Sequence, residues 1–252
     1  MEIPLSGRKV LVTGASRGIG RAIAKGLALS GADVAAHFHR GGDEAAELAH
    51  ECGPRLRVLA ADLADPSACK GLVRRAAEAL GGLDVLVNNA GVFLEAPPEL
   101  PDEEWLSLWE TTIAVTLRAP ALLSLEAIRL FEGSGGGRIV MIASRAAFRG
   151  DAPEYLAYAA SKGGMVALAR SIARGFGARN VKAFVVAPGF TRTGMARGFI
   201  EKFGEAKAME GIALDRMTEP DDLVPLVALL ASGLADHATG CTIDVNAASY
   251  VR

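Results

Sequence analysis

The stretch "VLVTGASRGIGRAIA" at residues 10–24 is the most informative part of the sequence about the fold. It joins a short apolar run to a helix through three glycines in the spacing G-x-x-x-G-x-G. Glycines here allow a tight turn and let backbone N–H groups approach a pyrophosphate at the helix N-terminus, where the helix dipole favours anions. A glycine triplet by itself is also compatible with a flexible turn. Its position between a strand and a helix predicts a dinucleotide-binding site. The predicted cofactor contacts in this stretch are Gly14, Ser16, Arg17, Gly18, Ile19 and Gly20.

Short apolar runs rich in Val, Ile and Leu alternate with segments of helical periodicity along the whole chain. Such alternation indicates a parallel sheet with helices on both faces. We therefore predict an α/β protein with one domain over residues 1–252: a Rossmann fold with a doubly wound, parallel, seven-stranded sheet. The predicted helices cover residues 18–30, 43–52, 66–80, 104–131, 155–178 and 220–232.

Composition and charge limit the possible partners. Half of the 252 residues are hydrophobic, which is enough for a sizeable core, and the formal net charge is −2. Lys and Arg are scattered, which argues against a surface for nucleic acid or an anionic membrane and favours a small-molecule partner. The three cysteines lie far apart and no Cys or His has zinc-site spacing, so we expect reduced thiols and no metal. No signal peptide or membrane-spanning run is visible, which predicts a soluble, cytoplasmic protein.

The end of the second predicted strand bears on which dinucleotide binds. NAD enzymes usually place Asp or Glu there for the ribose 2′-hydroxyl, whereas a 2′-phosphate requires a cation. Here His39 and Arg40 follow the strand, the first carboxylate is Asp43, and Arg17 stands in the glycine loop. The pattern favours NADP(H), with NAD(H) as the alternative. Taken alone, Arg40 is interpreted equally well as a solvated loop residue or as a cofactor contact. The same holds for His39 as a half-buried residue at the end of the strand.

Three further loops follow predicted strands and supply candidate cofactor contacts. Asp62, beside Leu63, is placed to accept from the adenine amino group, or it caps the helix near Pro66, for which Asp65 is better placed. The "NNAG" run either approaches the cofactor closely or locks neighbouring loops through its asparagines. Thr191 or Thr193 is placed to reach the nicotinamide carboxamide or a phosphate. The contacts predicted from the last two loops are Asn89, Ala90, Gly91, Pro188, Gly189, Thr191 and Thr193.

"AYAASKGG" at residues 157–164 puts Tyr158 and Lys162 one helical turn apart on the same face, where both side chains can contact one ligand. Taken alone, this spacing is also typical of a solvated surface pair. Ser144, at the mouth of the fifth predicted strand, can donate to a substrate carbonyl or simply cap its loop. Ser161 and Tyr155 are expected only to pack or cap, because Ser161 lies off the Tyr158 face and Tyr155 has no lysine one turn on.

Taken in order, the motifs "TGASRGIG", "NNAG", the Ser closing "IVMIAS", "YAASK" and "APGFTRT" resemble those of the short-chain dehydrogenase/reductase family, from about Lys9 to the C-terminus. The motifs are most similar to those of its 3-oxoacyl-carrier reductases. The resemblance implies an NADP(H)-dependent ketone or 3-oxoacyl reductase, or secondary alcohol dehydrogenase. Tyr158 is then the acid/base, and Ser144 polarises the carbonyl. Lys162 lowers the pKa of Tyr158 and binds the nicotinamide ribose.

The sequence departs from the family pattern at Thr116, in "VTLRAP", where the resemblance places a catalytic asparagine. In the family that asparagine kinks the helix and helps to hold a water that relays protons to the lysine. A threonine can hold a water but lacks the amide's donor and acceptor pair. The alternative function is therefore an NADP-binding sensor or scaffold protein with weak or no activity. Ala247, in "DVNAAS", also replaces a frequent glycine.

Residues 194–216 occupy the position of the family's variable substrate lid, or else form an amphipathic helix packed on the domain. The substrate expected is an apolar carbonyl or alcohol, with no carrier protein required. The resemblance also implies a homotetramer (or dimer) built from the helices at 104–131 and 155–178 and the C-terminal strand. The candidate apolar lid residues are Met195, Phe199, Ile200, Phe203 and Met209.

Overall fold

The computed structural model describes residue 3 and residues 5–252, with the backbone alone at Met195, Arg197, Lys202 and Phe203. Its described part contains a seven-stranded, wholly parallel sheet in the order β3-β2-β1-β4-β5-β6-β7. Val10 of β1 pairs with Val34 of β2 on one side and with Val85 of β4 on the other. The predicted doubly wound sheet is thereby confirmed. Its strands are β1 Lys9–Val12, β2 Asp33–Phe38, β3 Leu56–Ala60, β4 Val85–Asn88, β5 Gly137–Ile142, β6 Val181–Pro188 and β7 Thr242–Val245.

Helices cover both faces of the sheet, as the alternation of apolar runs predicts. On one face α1, α2 and α10 bury Ile23, Leu48 and Leu230 against the strands, and on the other α3, α5 and α7 bury Leu72, Leu123 and Met165. The helices are α1 Gly18–Leu29, α2 Gly42–Cys52, α3 Pro66–Leu80, α4 Asp102–Ile113, α5 Ala119–Gly133, α6 Ala146–Arg149, α7 Leu156–Phe176, α8 Gly194–Phe203, α9 Glu205–Ala208 and α10 Val224–Ser232.

The helix predicted over residues 104–131 is interrupted by a π-helical segment, Ala114–Arg118, between α4 and α5. In that segment the Ala119 N–H bonds the Ala114 carbonyl five residues back. Proline explains the interruption, because Pro120 has no N–H to donate to the Thr116 carbonyl four residues earlier. The bulge therefore follows from "TLRAP" itself and places Thr116 at its centre.

Ala247 and Ala248, which follow β7, have φ angles of 49° and 55° in the left-handed region. That region costs a residue with a Cβ roughly 1–2 kcal/mol, while glycine enters it freely. This strain is the physical reason why a glycine suits position 247.

We expect Ala247→Gly to stabilise the protein by roughly 0.5–1 kcal/mol, since the relieved strain exceeds the added chain entropy of glycine. Urea unfolding measures this as a higher midpoint. Ala167→Gly, at an exposed position inside α7, is the matched control and should destabilise by about 1 kcal/mol. Equal destabilisation by both changes would contradict the strain argument.

The described residues contain neither a membrane-spanning helix nor a metal-binding cluster. No helix among them is long and apolar enough to cross a bilayer. In the same part of the chain, no three His, Cys, Asp or Glu side chains come together in a way that could hold a metal ion.

Candidate active site

The strand order reverses between β1 and β4, and the loops at the carboxyl ends of these strands open a crevice there. In doubly wound sheets, ligands bind at this switch point. The glycine loop follows β1, "NNAG" ends β4, and Ser144 and Gly189 follow the neighbouring strands β5 and β6. The topology thus brings the predicted motifs to one edge of the sheet.

The glycine loop packs so closely that side chains cannot replace two of its glycines. A Cβ at Gly20 would lie 2.2 Å from the Gly14 carbonyl oxygen, and one at Gly14 would lie 2.9 Å from the Ala90 Cα. Asn89 Nδ2 donates to the carbonyl oxygens of Thr13, at 2.8 Å, and Gly14, at 3.1 Å. Of the two roles open to Asn89, its side chain therefore takes the locking one.

Thr13 is a functional residue that the sequence reasoning missed. Its Oγ1 accepts hydrogen bonds from the N–H groups of Asn89 and Ala90, each at 3.0 Å, and its side chain is buried. It thus ties the end of β1 to the loop after β4. Asn88, by contrast, points into the core and donates from Nδ2 to Ser124 Oγ at 3.1 Å, away from the crevice.

Cationic side chains flank the adenosine end of the crevice. Arg17 and Arg40 are exposed, and neither guanidinium has a hydrogen-bond or ion-pair partner within the part of the chain that the structure describes. Ser16 Oγ donates to the Arg40 carbonyl at 3.3 Å, which joins the glycine loop to the end of β2. His39 is exposed rather than half-buried, since β2 ends at Phe38. Both arginines are free to meet a phosphate.

Asp62 lies beside His39, with Oδ1 3.9 Å from His39 Nδ1, and it accepts from the Ala64 N–H at 2.9 Å. The capping role open to it belongs to Asp65, whose Oδ1 accepts from the Ser67 N–H at 2.8 Å. Leu63 between them is buried. Asp62 therefore keeps acceptor capacity at the position predicted for adenine.

Tyr158 and Lys162 are not a solvated surface pair. Lys162 is only 4% exposed, and its Nζ donates to the Ile142 carbonyl at 2.7 Å. The same nitrogen lies 5.6 Å from the centre of the Tyr158 ring. The lysine head is thus held against the end of β5, with donors left for a ligand.

Ser144 lies beside Tyr158 and fits both of its predicted roles. Its Oγ accepts from the Ala146 N–H at 3.1 Å, as a loop-capping serine does. It also lies close enough to the Tyr158 phenol to lower the pKa of that group. A hydroxyl that accepts in the loop still has its proton to donate.

Burial governs the pKa values of both groups. Burial raises the pKa of Tyr158 to about 12, which the neighbouring Ser144 hydroxyl opposes and the charge of Asp151 reinforces. Burial also lowers the pKa of Lys162 to about 7. The protein's own groups therefore favour the neutral phenol, and the lowering of its pKa by Lys162 in the cofactor complex stays a prediction. Desolvation by the surrounding protein is the largest cause of both shifts.

Thr116 is completely buried, and its Oγ1 accepts from the Val92 N–H at 3.2 Å. A Cβ on Gly91 would lie 3.5 Å from Thr116 Oγ1 and 3.7 Å from Lys162 Nζ. Thr116 and the lysine head therefore border the same glycine.

The two threonines after β6 have different surroundings. Thr191 is buried and its Oγ1 donates to the Gly189 carbonyl at 3.2 Å, so its hydroxyl is already used within the loop. Thr193 lies beside the glycine loop, since a Cβ on Gly18 would be 3.4 Å from its Cγ2. Of the pair, Thr193 has its side chain at the predicted pyrophosphate site. Pro188 ends β6, and a Cβ on Gly189 would lie 2.8 Å from the Asn246 Cα.

Aromatic rings stand next to the Tyr158 phenol. Phe93 stacks on Tyr155 with 3.8 Å between ring centres and meets the Tyr158 ring edge-on at 4.8 Å. All three rings are half-buried. Sequence reasoning missed Phe93, although an aromatic residue two positions after "NNAG" was a signal for it. Tyr155 was expected only to pack or cap.

The segment predicted as a lid contains α8 and α9. Phe199 is 38% exposed and packs on Phe190 with 5.2 Å between ring centres, while Ile200 and Met209 are half-buried. A cleft of about 740 Å³ between α8 and α1 is lined by Gly18, Thr193 and Ile200, among others. The side chains of Met195 and Phe203, also predicted for this wall, lie outside the described residues.

Residues 8–203 match the family model of the short chain dehydrogenases. The chain belongs to the short-chain dehydrogenase family. It is therefore an oxidoreductase acting on CH–OH and C=O groups with a nicotinamide cofactor.

Individual relatives cover nearly the whole chain. Nodulation protein G of a Rhizobium species is 37% identical over 243 residues, which are 96% of each chain. The 3-oxoacyl-(acyl-carrier-protein) reductase FabG of Escherichia coli is 34% identical over 248 residues, 97% of this chain and 98% of that protein. A crystal structure of a short chain dehydrogenase from Burkholderia cenocepacia in complex with NADP has a TM-score of 0.88 and 36% identity, covering 98% of this chain and 99% of that one.

Proposed function

We propose that this protein is an NADPH-dependent reductase of ketones or 3-oxoacyl compounds, working in reverse as a secondary alcohol dehydrogenase. The observation that carries the proposal is the meeting of three groups at the dinucleotide crevice. These groups are the Tyr158 phenol, the neighbouring Ser144 hydroxyl, and the buried Lys162 head. Together they can position a carbonyl and move a proton to its oxygen.

The crevice fits a dinucleotide phosphate. The glycine loop exposes backbone N–H groups at the start of α1, where a pyrophosphate would bind. At Gly14 and Gly20 a Cβ would clash with neighbouring backbone, so the loop requires glycine at both positions. Arg17 and Arg40 would hold the 2′-phosphate, and Asp62 would accept from the adenine. NADP in the Burkholderia cenocepacia structure supports this assignment. When bound, NADPH supplies the hydride.

Proton transfer is the work of the protein's own residues. Ser144 donates to the substrate carbonyl oxygen and stabilises the charge that develops on it, while the Tyr158 phenol donates its proton to that oxygen. A phenol with its pKa raised to about 12 is protonated at neutral pH and is thus ready to act as the acid. Lys162 has three donors, of which one bonds the Ile142 carbonyl and a second makes a long contact of 3.7 Å with Met165 Sδ, so at least one remains for the nicotinamide ribose hydroxyls. In the reverse direction, its charge favours the phenolate.

Steady-state oxidation of NADPH, with NADH in parallel, tests the proposal against 3-oxoacyl thioesters, diketones and cyclic ketones. We expect turnover with NADPH at a higher kcat/KM than with NADH, because two free guanidinium groups face the 2′-phosphate site. A preference for NADH would contradict the roles given to Arg17 and Arg40. Tight NADPH binding without turnover of any substrate would favour the sensor or scaffold function instead.

Thr116 is the residue that bears on the choice between an active reductase and a sensor or scaffold protein. Its hydroxyl keeps the π-helical segment bonded to Val92, beside the lysine head, and the segment owes its shape to Pro120 rather than to an asparagine. The kink associated with the family asparagine is therefore compatible with threonine, which supports an active enzyme.

We expect Thr116→Asn to change kcat by less than tenfold, well below the ~10²-fold that losing a proton-transferring group costs. Thr116→Val is the matched control, since it keeps the shape but leaves the Val92 N–H unpaired. Because Val92 is only part-buried, this should lower the unfolding free energy by about 1 kcal/mol. Measured kcat values and thermal unfolding report the two effects. A large gain in kcat on introducing asparagine would instead support the weakly active alternative.

The substrate end supports an apolar carbonyl compound. The half-buried rings of Phe93 and Tyr155 border the Tyr158 phenol, and residues 194–216 would form the lid over them with Phe199 and Ile200. FabG of Escherichia coli is named for a carrier-linked substrate. For this chain we propose the carbonyl chemistry without requiring a carrier.

We also propose a homotetramer or dimer. On α4 and α5, Leu106 is 52% exposed, Leu125 is 42% exposed, and the rings of Trp105 and Trp109 stack with 5.2 Å between centres. Such apolar surface favours burial against another copy. Light scattering from the purified protein measures the oligomeric state, and a monomer would contradict the proposal. The cytoplasmic location stays a prediction.

A further inference from the structure

His37, in β2, is a buried histidine with both ring nitrogens engaged. It is 2% exposed. Its Nδ1 accepts from the Gly14 N–H at 3.1 Å, and its Nε2 lies 3.1 Å from the Ala61 carbonyl oxygen. Because a backbone N–H only donates and a carbonyl only accepts, the ring proton must sit on Nε2. The surroundings therefore select one neutral tautomer.

The two partners of His37 belong to the two halves of the adenosine site. Gly14 is the first glycine of the loop after β1 and has a φ of 66°. Ala61 immediately precedes Asp62 and Leu63 in the loop after β3. The backbone of His37 contributes a third bond, since the Ala15 N–H donates to its carbonyl at 2.7 Å. One residue thus ties the ends of three adjacent strands.

Ionisation would break this arrangement, because a protonated Nδ1 has no lone pair for the Gly14 N–H. Burial lowers the pKa of His37 to about 4, with the charges of His39 and Arg75 acting in the same direction. The imidazole stays neutral throughout the range in which enzymes are assayed, so the link to Gly14 is permanent there.

We propose that His37 is a positioning residue for the cofactor: its ring holds the glycine loop and the Asp62 loop in the relative placement that binds the adenosine half of NADPH. The proposal rests on the proposed function only in taking NADPH as the ligand. His37 acts through Gly14 and Ala61 and touches no reacting atom, so its loss weakens cofactor binding without slowing the chemical step.

Three substitutions of His37 test separately its hydrogen bonds to Gly14 and to Ala61. In His37→Asn the amide oxygen can take the place of Nδ1 and accept from Gly14, but nothing reaches Ala61. In His37→Gln the amide nitrogen can take the place of Nε2 and donate to Ala61, but Gly14 loses its acceptor. His37→Phe keeps the ring volume and removes both bonds. His50→Gln, on the exposed side of α2, is the control.

The test measures the Kd of NADPH by fluorescence titration, which needs no turnover, and then kcat and KM with an active substrate. We expect His37→Phe to raise the Kd on the order of tenfold or more, with Asn and Gln giving smaller increases. At saturating NADPH, kcat should stay within about twofold, because Tyr158, Lys162 and Ser144 are untouched. The thermal unfolding midpoint identifies the variants that remain folded. If His37→Phe does not fold, His37→Asn and His37→Gln still test the proposal.

Two results would overturn the proposal. One is a Kd within twofold of the parent in every folded variant; the other is a loss of kcat as large as the rise in Kd, which a general structural role would produce. Failure of the proposed function is a separate result, because it shows in the parent protein as NADPH binding without turnover. Nitrogen NMR of the imidazole gives a further readout, since the inference requires the Nε2–H tautomer.

Discussion

Tyr158→Phe is expected to lower kcat for ketone reduction on the order of 10³-fold, the range found when a general acid is removed. The Tyr158 phenol lies beside Ser144, and its raised pKa keeps it protonated at neutral pH. Phenylalanine keeps the ring that meets Phe93 edge-on but has no proton to give. The Kd of NADPH should stay near that of the parent, because the change removes one oxygen. Steady-state kinetics and fluorescence titration measure the two quantities.

Tyr155→Phe is the matched comparison, because it removes the phenol oxygen of a tyrosine three residues before Tyr158. Its ring would stay stacked on Phe93, and the residue four positions on is Ala159. We expect it to lose far less activity than Tyr158→Phe. If the two variants lost equal activity, the hydroxyl of Tyr158 would have no special role and the proton donor would lie elsewhere.

Lys162→Met has the second largest expected effect, a fall in kcat/KM of roughly 10²-fold or more. Methionine fills a similar volume but cannot bond Ile142 or the ribose, and it carries no charge to favour the phenolate. Both the KM for NADPH and kcat should therefore worsen, in contrast to Tyr158→Phe, where kcat alone changes.

The pH dependence of alcohol oxidation isolates the charge effect. In that direction Tyr158 must be a phenolate, so the rate rises with pH through the pKa of the phenol in the working complex. Removing the positive charge of Lys162 raises that pKa, and the rise in rate should move to higher pH. A profile that keeps its midpoint in Lys162→Met would show that the lysine binds ribose without acting on the tyrosine.

Loss of folding would not explain the loss of activity in this variant. Burial lowers the pKa of Lys162 from 10.5 to about 7, so the lysine's ionisation destabilises the folded state at every pH below the unfolded value. Methionine carries no such penalty but leaves the Ile142 carbonyl without its lysine donor, and because the two effects oppose each other we expect a thermal unfolding midpoint near that of the parent at neutral pH. A large drop in the midpoint would contradict this account.

The fold and the positions of the main motifs could be predicted because each depends on local pattern. The period of apolar residues distinguishes strands from helices, and alternation of the two leads to a parallel sheet with a switch point. Gly14 and Gly20 are visible because a close backbone approach admits no other residue, and Gly18 is visible because its φ of 56° favours glycine. Pro120 would also have predicted the break in the helix at Thr116, since a missing N–H is a local property.

The residues that sequence reasoning missed take their roles from partners brought together by folding. His37 differs little from His39 in the sequence, yet β1 and β3 enclose His37 and leave His39 in solvent. Thr13 and Phe93 likewise meet their partners only across the crevice.

The same distinction applies to charge. Local sequence patterns predict the fold, the spacing of Tyr158 and Lys162, and the cations at the end of β2. The raised pKa of the phenol and the lowered pKa of the lysine follow only from the folded protein, because desolvation depends on how completely other segments remove a group from water.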